Sequence, residues 1–174
     1  MAASIDDFKS KLKGSGARPN LFRVIVNYPA FAQGDSELSS FMISGASLPS
    51  SVSAPIIVPW RGRQAKFDGD RTFEPVSLTV INDTDMAVRN AFERWKNEMN
   101  SHRGNVGLKS AIEYQADIII EQLDRAQEVV KTYTLRNAFP VEISAIELSA
   151  DTSDTIENFT VSLEIDYWES NTTT

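Results

Sequence analysis

The sequence contains no cysteine and a single histidine, His102. Without cysteine the chain cannot form a disulfide framework, a thiolate zinc site or a cysteine nucleophile. His102 lies in a glycine-rich stretch that favours a solvated loop residue. The sequence does contain the residue types of a Ser-His-Asp triad, so that alternative stays open. No G-x-S-x-G motif is present, and Asp68-Gly69-Asp70 indicates a turn rather than a calcium loop. The residues therefore predict a protein that is not an enzyme and that has no cofactor.

The sequence also has no long apolar run. No stretch approaches the ~18 apolar residues that a membrane helix requires, and the first residues lack the apolar core of a signal peptide. We therefore expect a chain that is made in the cytosol, is not exported by the usual signal and has no membrane span. Its 174 residues, 41% hydrophobic and 24% charged, are typical of one globular domain or two small ones.

Basic residues are scarce, since 17 Lys and Arg stand against 24 Asp and Glu. An acidic chain is a poor candidate for gripping nucleic acid by neutralising its phosphates. Residues 1–71 carry nine basic and six acidic side chains, whereas residues 72–174 carry eight and eighteen. This asymmetry indicates a basic binding arm, or two oppositely charged surfaces that meet when copies stack, or simply halves that mix across one fold.

Helical spacing occurs in two places. At residues 4–13, Ile5, Phe8 and Leu12 share one face of a short helix that would dock on its own domain or on a neighbouring copy. A second helix begins near Asp83 or Thr84, and its apolar stripe indicates core packing. The stripe consists of Val88, Ala91, Phe92, Trp95 and Met99.

Elsewhere apolar and polar residues mostly alternate with a period of two, which is typical of strands. The predicted strands are 22–28, 38–44, 52–58, 72–81, 112–123, 127–139, 141–148 and 159–167, with an exposed loop at 59–63. The pattern predicts a mainly β (α+β) fold, a β-sandwich or small barrel of about eight strands with one main helix against one side.

The hairpin at 112–139 has one apolar and one acidic face. Glu113, Asp117 and Glu121 alternate with apolar residues, and Gln115, Glu128, Thr132 and Thr134 accompany them. A solvent-facing sheet explains this pattern. The alternative is a surface that a polyanion passes without sticking, because the acids repel its phosphates and no Lys or Arg is there to neutralise those phosphates.

Five short motifs occur along the chain in a fixed order. They are Ala17-Arg18-Pro19-Asn20-Leu21-Phe22, Leu48-Pro49, Gly69-Asp70-Arg71-Thr72-Phe73, Val80-Ile81-Asn82-Asp83 and Asp166-Tyr167-Trp168-Glu169. Their order, spacing and total length resemble the tail tube proteins of contractile-tailed, T-even-type bacteriophages. The fold that this resemblance implies is the β-sandwich or barrel of phage tail tubes and type VI secretion tubes.

The resemblance implies a structural protein of the virion tail that is assembled in the host cytoplasm. Members of this family form hexameric rings that stack head to tail into the inner tube, and DNA leaves the capsid through its lumen. The implied partners are other copies of the chain, the tail sheath protein, the baseplate and tail terminator proteins, and DNA in transit without specific binding.

The resemblance also suggests roles for segments. Residues 1–19 would be an N-terminal arm, 20–169 the tube β-domain and 170–174 a C-terminal tail. Two hairpins, 38–58 and 112–136, would line the lumen, so that the acidic face becomes its wall. The segment 59–70 would contact the next ring through Pro59, Trp60, Arg61, Arg63, Lys66, Asp68 and Asp70. Ile5, Phe8 and Leu12 would form an inter-subunit arm.

Other functions stay open. The same fold would suit a baseplate or terminator protein, or the tube of a phage-like injection or secretion system. A stand-alone β-sandwich that binds carbohydrate or a protein ligand is a different class, and it requires an exposed aromatic cluster. The aromatic residues here fall mostly on inward-facing positions of strands and helix, which favours the tube protein.

Overall fold

The computed structural model describes residues 4–108 and 110–173, which form eleven strands and four α-helices. The strands are β1 (Phe22–Val26), β2 (Ile43–Ala46), β3 (Ser51–Ser53), β4 (Ile56–Trp60), β5 (Arg63–Phe67), β6 (Arg71–Phe73), β7 (Val76–Ile81), β8 (Ala116–Leu123), β9 (Val129–Ile143), β10 (Asn158–Glu164) and β11 (Tyr167–Ser170). The helices are α1 (Ile5–Lys11), α2 (Ser36–Met42), α3 (Ala87–Met99) and α4 (Ala111–Tyr114), with 3-10 turns at Lys13–Ser15 and Ala30–Ala32. The predicted mainly β chain with one main helix is confirmed, although the strands are shorter and more numerous than expected.

Seven strands form one antiparallel sheet. Its order is β1-β8-β9-β10-β7-β2, and β11 also pairs with β9. Because β9 is 15 residues long, its first part pairs with β8 and β11 while its last residues pair with β10. Two small ribbons, β3 with β6 and β4 with β5, stand apart from this sheet.

Helix α3 closes the core, as its apolar stripe predicts. Val88, Ala91, Phe92 and Trp95 are at most 4% exposed, and Met99 packs against the core at its edge. The helix begins at Ala87, whose N–H donates to the Asp83 side chain at 2.9 Å. These residues meet a layer of buried sheet side chains that includes Val24, Val26, Leu78, Ile118, Ile120, Leu135, Phe159 and Val161.

The predicted strand at 38–44 is wrong, because residues 36–42 form α2. The Asp35 side chain accepts hydrogen bonds from the backbone N–H groups of Glu37 and Leu38, which fixes the start of this helix. Only Ile43–Ala46 is extended, and it pairs with β7 rather than with β3. Residues 38–58 therefore do not form the hairpin that the family resemblance implies.

Prolines divide two other predicted strands. Pro55 separates β3 from β4, and Pro75 separates β6 from β7, because proline has no N–H to donate to a ladder. The predicted loop at 59–63 is mostly strand, since β4 runs to Trp60 and β5 starts at Arg63. Only the two residues between them form a turn.

The last strands also differ from the prediction. Residues 111–114 are helical, so β8 begins only at Ala116. The strands predicted at 127–139 and 141–148 are one strand, β9, which ends at Ile143 and is followed by an irregular segment at 144–157. The strand predicted at 159–167 breaks after Glu164, and β11 then continues the pairing with β9 that the end of β10 begins.

Candidate functional site

Four neighbouring strands of the seven-stranded sheet, in the order β1-β8-β9-β11, make up what we call the four-stranded layer. One face of this layer is polar, and its other face is buried in the core. Opposed residues in the strand register are Arg23 with Glu121, Glu121 with Thr132, and Thr134 with Glu169. The polar face, as we use the term, consists of Arg23, Asp117, Glu121, Thr132, Thr134, Arg136 and Glu169. Ile25 and Ile119 lie opposite each other on the same face.

A β-bulge places the central ion-pair network of the polar face. Between Ala116 and Ile118 the register with β9 shifts by one residue, and Asn137 adopts a positive φ of 56°. As a result Asp117 accepts from the Asn137 backbone N–H at 3.2 Å and from Arg136 Nη1 at 2.5 Å. The bulge therefore holds the Asp117 carboxylate against the neighbouring guanidinium.

Arg136 bridges two carboxylates from different strands. Its Nη2 lies 2.8 Å from Glu169 Oε2 on β11, while its Nη1 contacts Asp117 on β8. The hydrogen bonds to Asp117, and then those to Glu169, raise the pKa of Arg136 above its usual range. The guanidinium is thus a permanent positive charge on this face.

A second pair neutralises the remaining predicted acid on β8. Arg23 Nη2 on β1 lies 2.5 Å from Glu121 Oε2, and the Glu121 side chain is only 15% exposed. The expectation that this surface offers no Lys or Arg is therefore wrong, since Arg23 and Arg136 lie on it. Alternation along a single strand cannot reveal Arg23 and Arg136, because their contacts depend on the register between strands that are distant in sequence.

The structure does not bring all seven predicted lumen residues together. Asp117, Glu121, Thr132 and Thr134 share the polar face, but Glu113 is exposed on α4 and Gln115 follows that helix. Glu128 lies at the opposite end of the hairpin, where its N–H donates to Asp124 at 3.0 Å. These three residues therefore lie at the two ends of the β8–β9 hairpin.

The ribbon of β4 and β5 projects as a largely exposed arm, which we call the hairpin arm (residues 56–67). Its register puts Ile56, Val58, Trp60 and Phe67 on one side, and each is between 44% and 66% exposed. The turn residues Arg61 and Gly62 both have positive φ, 46° and 81°, as a two-residue hairpin turn requires. An isolated two-stranded hairpin is only marginally stable in water, so this arm is suited to docking.

The other predicted stacking residues lie on this arm or at its base. The Arg61 guanidinium stacks 5.2 Å from the Trp60 ring centroid, and Pro59, Arg63 and Lys66 are exposed. Asp68 and Asp70 are exposed at the base, where the Asp70 carbonyl accepts from the Ala54 N–H at 3.2 Å.

Helix α1 carries the predicted inter-subunit residues. Ser4 and Asp7 form a capping box, and their hydrogen bonds lower the pKa of Asp7. Ile5, Phe8 and Leu12 are 69%, 63% and 43% exposed, so this helix leaves its apolar face uncovered by the described residues of the chain.

Other candidate chemistry is sparse in residues 4–108 and 110–173. No group of three or more His, Asp or Glu side chains there is placed to hold a metal ion. His102 is exposed in a loop, where its backbone N–H donates to Asn97 Oδ1 at 3.3 Å. None of the helices in these residues is both long and apolar enough to span a membrane.

Comparisons with known proteins agree with this architecture. The chain is 30% identical over 165 residues to the tail tube protein of Serratia phage KSP90, covering 92% of this chain and 93% of that protein. It is 29% identical over 157 residues to the tail tube protein gp19 of Enterobacteria phage T4, covering 90% and 93%.

Solved structures share the fold. A chain of the sheath-tube complex of an extracellular contractile injection system (PVC) matches with a TM-score of 0.61 at 18% identity, covering 97% of this chain and 98% of that one. A chain of the anti-feeding prophage baseplate matches with a TM-score of 0.62 at 15% identity, covering 88% and 94%. The profile of the phage tail tube protein family matches residues 17–171. The chain therefore belongs to the phage tail tube protein family, whose members are structural components of the virion tail and not enzymes.

Proposed function

We propose that this chain forms hexameric rings that stack head to tail into the inner tube of a contractile tail. The polar face would line the lumen, through which DNA leaves the capsid. The tail sheath would surround the tube, and baseplate and terminator proteins would contact its ends.

The open edges of the four-stranded layer carry this proposal. Among the described residues β1 pairs only with β8, and β11 pairs only with β9, so both sides of this layer offer unpaired backbone groups. Exposed edges are an aggregation hazard unless another chain or element covers them. Lateral pairing of β1 with β11 of the next copy would close a barrel and leave no edge in a complete ring.

The charge of the polar face suits passage without binding. This face carries three negative charges and two positive charges, from Asp117, Glu121, Glu169, Arg23 and Arg136. Both guanidiniums already form ion pairs with carboxylates. Affinity for DNA comes mainly from cations that are free to replace the counterions of phosphates. The lumen would thus be weakly acidic, with Glu113 and Gln115 near one rim and Glu128 near the other.

The hairpin arm and helix α1 would make the other contacts between subunits. The hairpin arm with Asp68 and Asp70 would reach the adjacent ring. The exposed apolar face of α1 would rest on a neighbouring copy, as Ile5, Phe8 and Leu12 are otherwise open to water.

The assembly is tested with the purified chain at rising concentration, imaged by negative-stain electron microscopy. Six-fold rings and tubes are expected. Rings that never stack would favour a terminator or baseplate role, and a chain that stays monomeric at all concentrations would contradict the proposal.

Passage of DNA is tested by changing the polar face without breaking its ion pairs. Thr132 and Thr134 lie on this face and are uncharged, so replacing them removes no partner of its ion pairs. With Thr132→Lys and Thr134→Lys together, a hexameric ring gains about twelve cations, so we expect normal tails but slow or stalled genome release. The matched Thr132→Glu and Thr134→Glu variant should release DNA at the normal rate. Equal release from both variants would overturn the lumen assignment.

A further inference from the structure

The hairpin arm is strongly basic, and one of its sides is largely apolar, with Arg63 opposite Trp60 on that side. Residues 56–67 contain Arg61, Arg63 and Lys66 and no acidic residue. None of these three takes part in an ion pair within the described residues. A partner for the arm must therefore offer apolar surface and negative charge together.

The irregular segment at 144–157, which we call the acidic loop, has the complementary composition. It contains Glu147, Asp151, Asp154 and Glu157 and no Lys or Arg. Two of its apolar side chains, Leu148 and Ile156, are 80% and 71% exposed. A shallow cleft lies between its two limbs, lined by Ala145, Ile146, Glu147, Thr152, Thr155, Ile156, Glu157 and Asn158.

Most of this negative charge is uncompensated. Glu157 accepts a hydrogen bond from Asn82 Nδ2 at 3.2 Å, which anchors the end of the loop to the sheet. Glu147, Asp151 and Asp154 are exposed and take no part in the ion pairs of the described residues. The loop is thus fixed at its end while three carboxylates point into water.

The hairpin arm and the acidic loop leave the sheet at opposite ends of the β7–β10 pair. The arm reaches β7 through β6 at Val76, which pairs with Leu163 at the far end of β10. The acidic loop enters β10 at Asn158, which pairs with Ile81 at the other end of β7. Since β7 has six residues, these two ends are roughly 17 Å apart.

We propose that the hairpin arm of one copy docks on the acidic loop of the next copy along the tube axis. This inference rests on the proposed stacking of rings and identifies the receiving surface. Complementary patches at opposite ends make a heterologous contact, which repeats without closing and so builds a filament. The apolar stripe of the arm would cover Leu148 and Ile156, and its cations would face the free carboxylates.

Charge reversal tests the pairing. We expect either of two double variants to shorten the tubes at least tenfold in mean length, measured by electron microscopy. One carries Arg61→Glu and Arg63→Glu on the arm, and the other carries Glu147→Lys and Asp154→Lys on the loop. The four changes combined should restore long tubes, because attraction returns with opposite sign. The matched control is the double variant Asp85→Lys and Glu98→Lys, which should leave tube length unchanged. It reverses the charge of two exposed acids, Asp85 just before α3 and Glu98 on α3. Loop variants with tubes of normal length would overturn the inference.

The absence of cysteine permits a direct test of proximity. A mixture of Arg63→Cys and Asp154→Cys chains, oxidised during assembly, should give a disulfide-linked dimer that neither variant gives alone. The mixture of Arg63→Cys with Glu98→Cys should give none. If wild-type tubes form but the first mixture does not cross-link, the docking is wrong and the tube proposal stands. If the wild-type chain forms no rings or tubes, the proposed function itself fails.

Discussion

The phenol oxygen of Tyr28, just beyond β1, lies 2.8 Å from the hydroxyl oxygen of Ser39 on α2. The Ser39 hydroxyl donates to the Asp35 carbonyl at 2.7 Å, so its single proton is used and Tyr28 must be the donor. Burial raises the pKa of Tyr28 to about 12 because it disfavours the charged phenolate, and the negative charge of Asp35 adds to this rise. This contact joins α2 to the aromatic cluster around α3.

Replacing Tyr28 with Phe should therefore have a pH-dependent effect. At pH 7 the variant should lose about 1 kcal/mol of unfolding free energy with the hydrogen bond. The neutral phenol stabilises the folded state fully below the unfolded pKa of about 10, and this contribution is lost as the pH rises towards 12. The advantage of wild type over Y28F in urea unfolding should therefore shrink above pH 10, vanish near about pH 11 and be reversed at about pH 11.5. An advantage that stays constant over this range would contradict the assignment.

Any side chain at Gly34 should lower the free energy of unfolding. A Cβ at this position would lie 2.3 Å from Cγ of Tyr28, whose ring is held edge-on against Phe92 at 5.4 Å. We expect Gly34→Ala to cost about 1–3 kcal/mol of unfolding free energy through overpacking. Gly104→Ala is the control, because the nearest atom to its Cβ lies at 3.8 Å, and it should stay within about 0.5 kcal/mol of wild type. Equal stability of the two variants in urea unfolding would refute the clash.

Substitution by Phe should destabilise the chain at the buried Trp95 but hardly at the exposed Trp60. Trp95 is fully buried and its Nε1 donates to the Tyr114 carbonyl at 2.7 Å, so W95F should destabilise the fold and release α4. Faster hydrogen exchange at the Gln115 amide, which donates to the Ala111 carbonyl at 3.0 Å, would report that release. Trp60 is 66% exposed, and W60F should change the stability of the unassembled chain by less than about 0.5 kcal/mol. Unchanged exchange at Gln115 in W95F would argue against the coupling.

Local patterns predict part of this fold well. The stripe of α3 and the alternation of β8 after Ala116 are both confirmed, because each depends only on which neighbours along the chain share a face. The segment at 38–44 misleads because Leu38 and Met42 suit a helical face as well as a strand. The Asp35 cap and the Tyr28–Ser39 contact decide in favour of the helix. The strand predicted at 112–123 begins too early, because α4 occupies its first residues and leaves Ile112 83% exposed.

The charges of the candidate site illustrate the limit of such patterns. Glu121 and Asp117 are easily found as acids on one strand face. Their partners are 98 and 19 residues away along the chain, and only strand register and a β-bulge bring them together. A surface that looks purely acidic in sequence is thus largely a set of ion pairs in the folded chain.

The placement of the hairpin arm and the acidic loop has a consequence for how a tube begins and ends. A stack built through these two surfaces has unlike ends, one displaying free arms and the other free loops. A protein that caps the first end must present an acidic, partly apolar surface, whereas one that caps the second must present a basic, apolar projection. Starting and finishing a tube would then require two different proteins, and neither could substitute for the other.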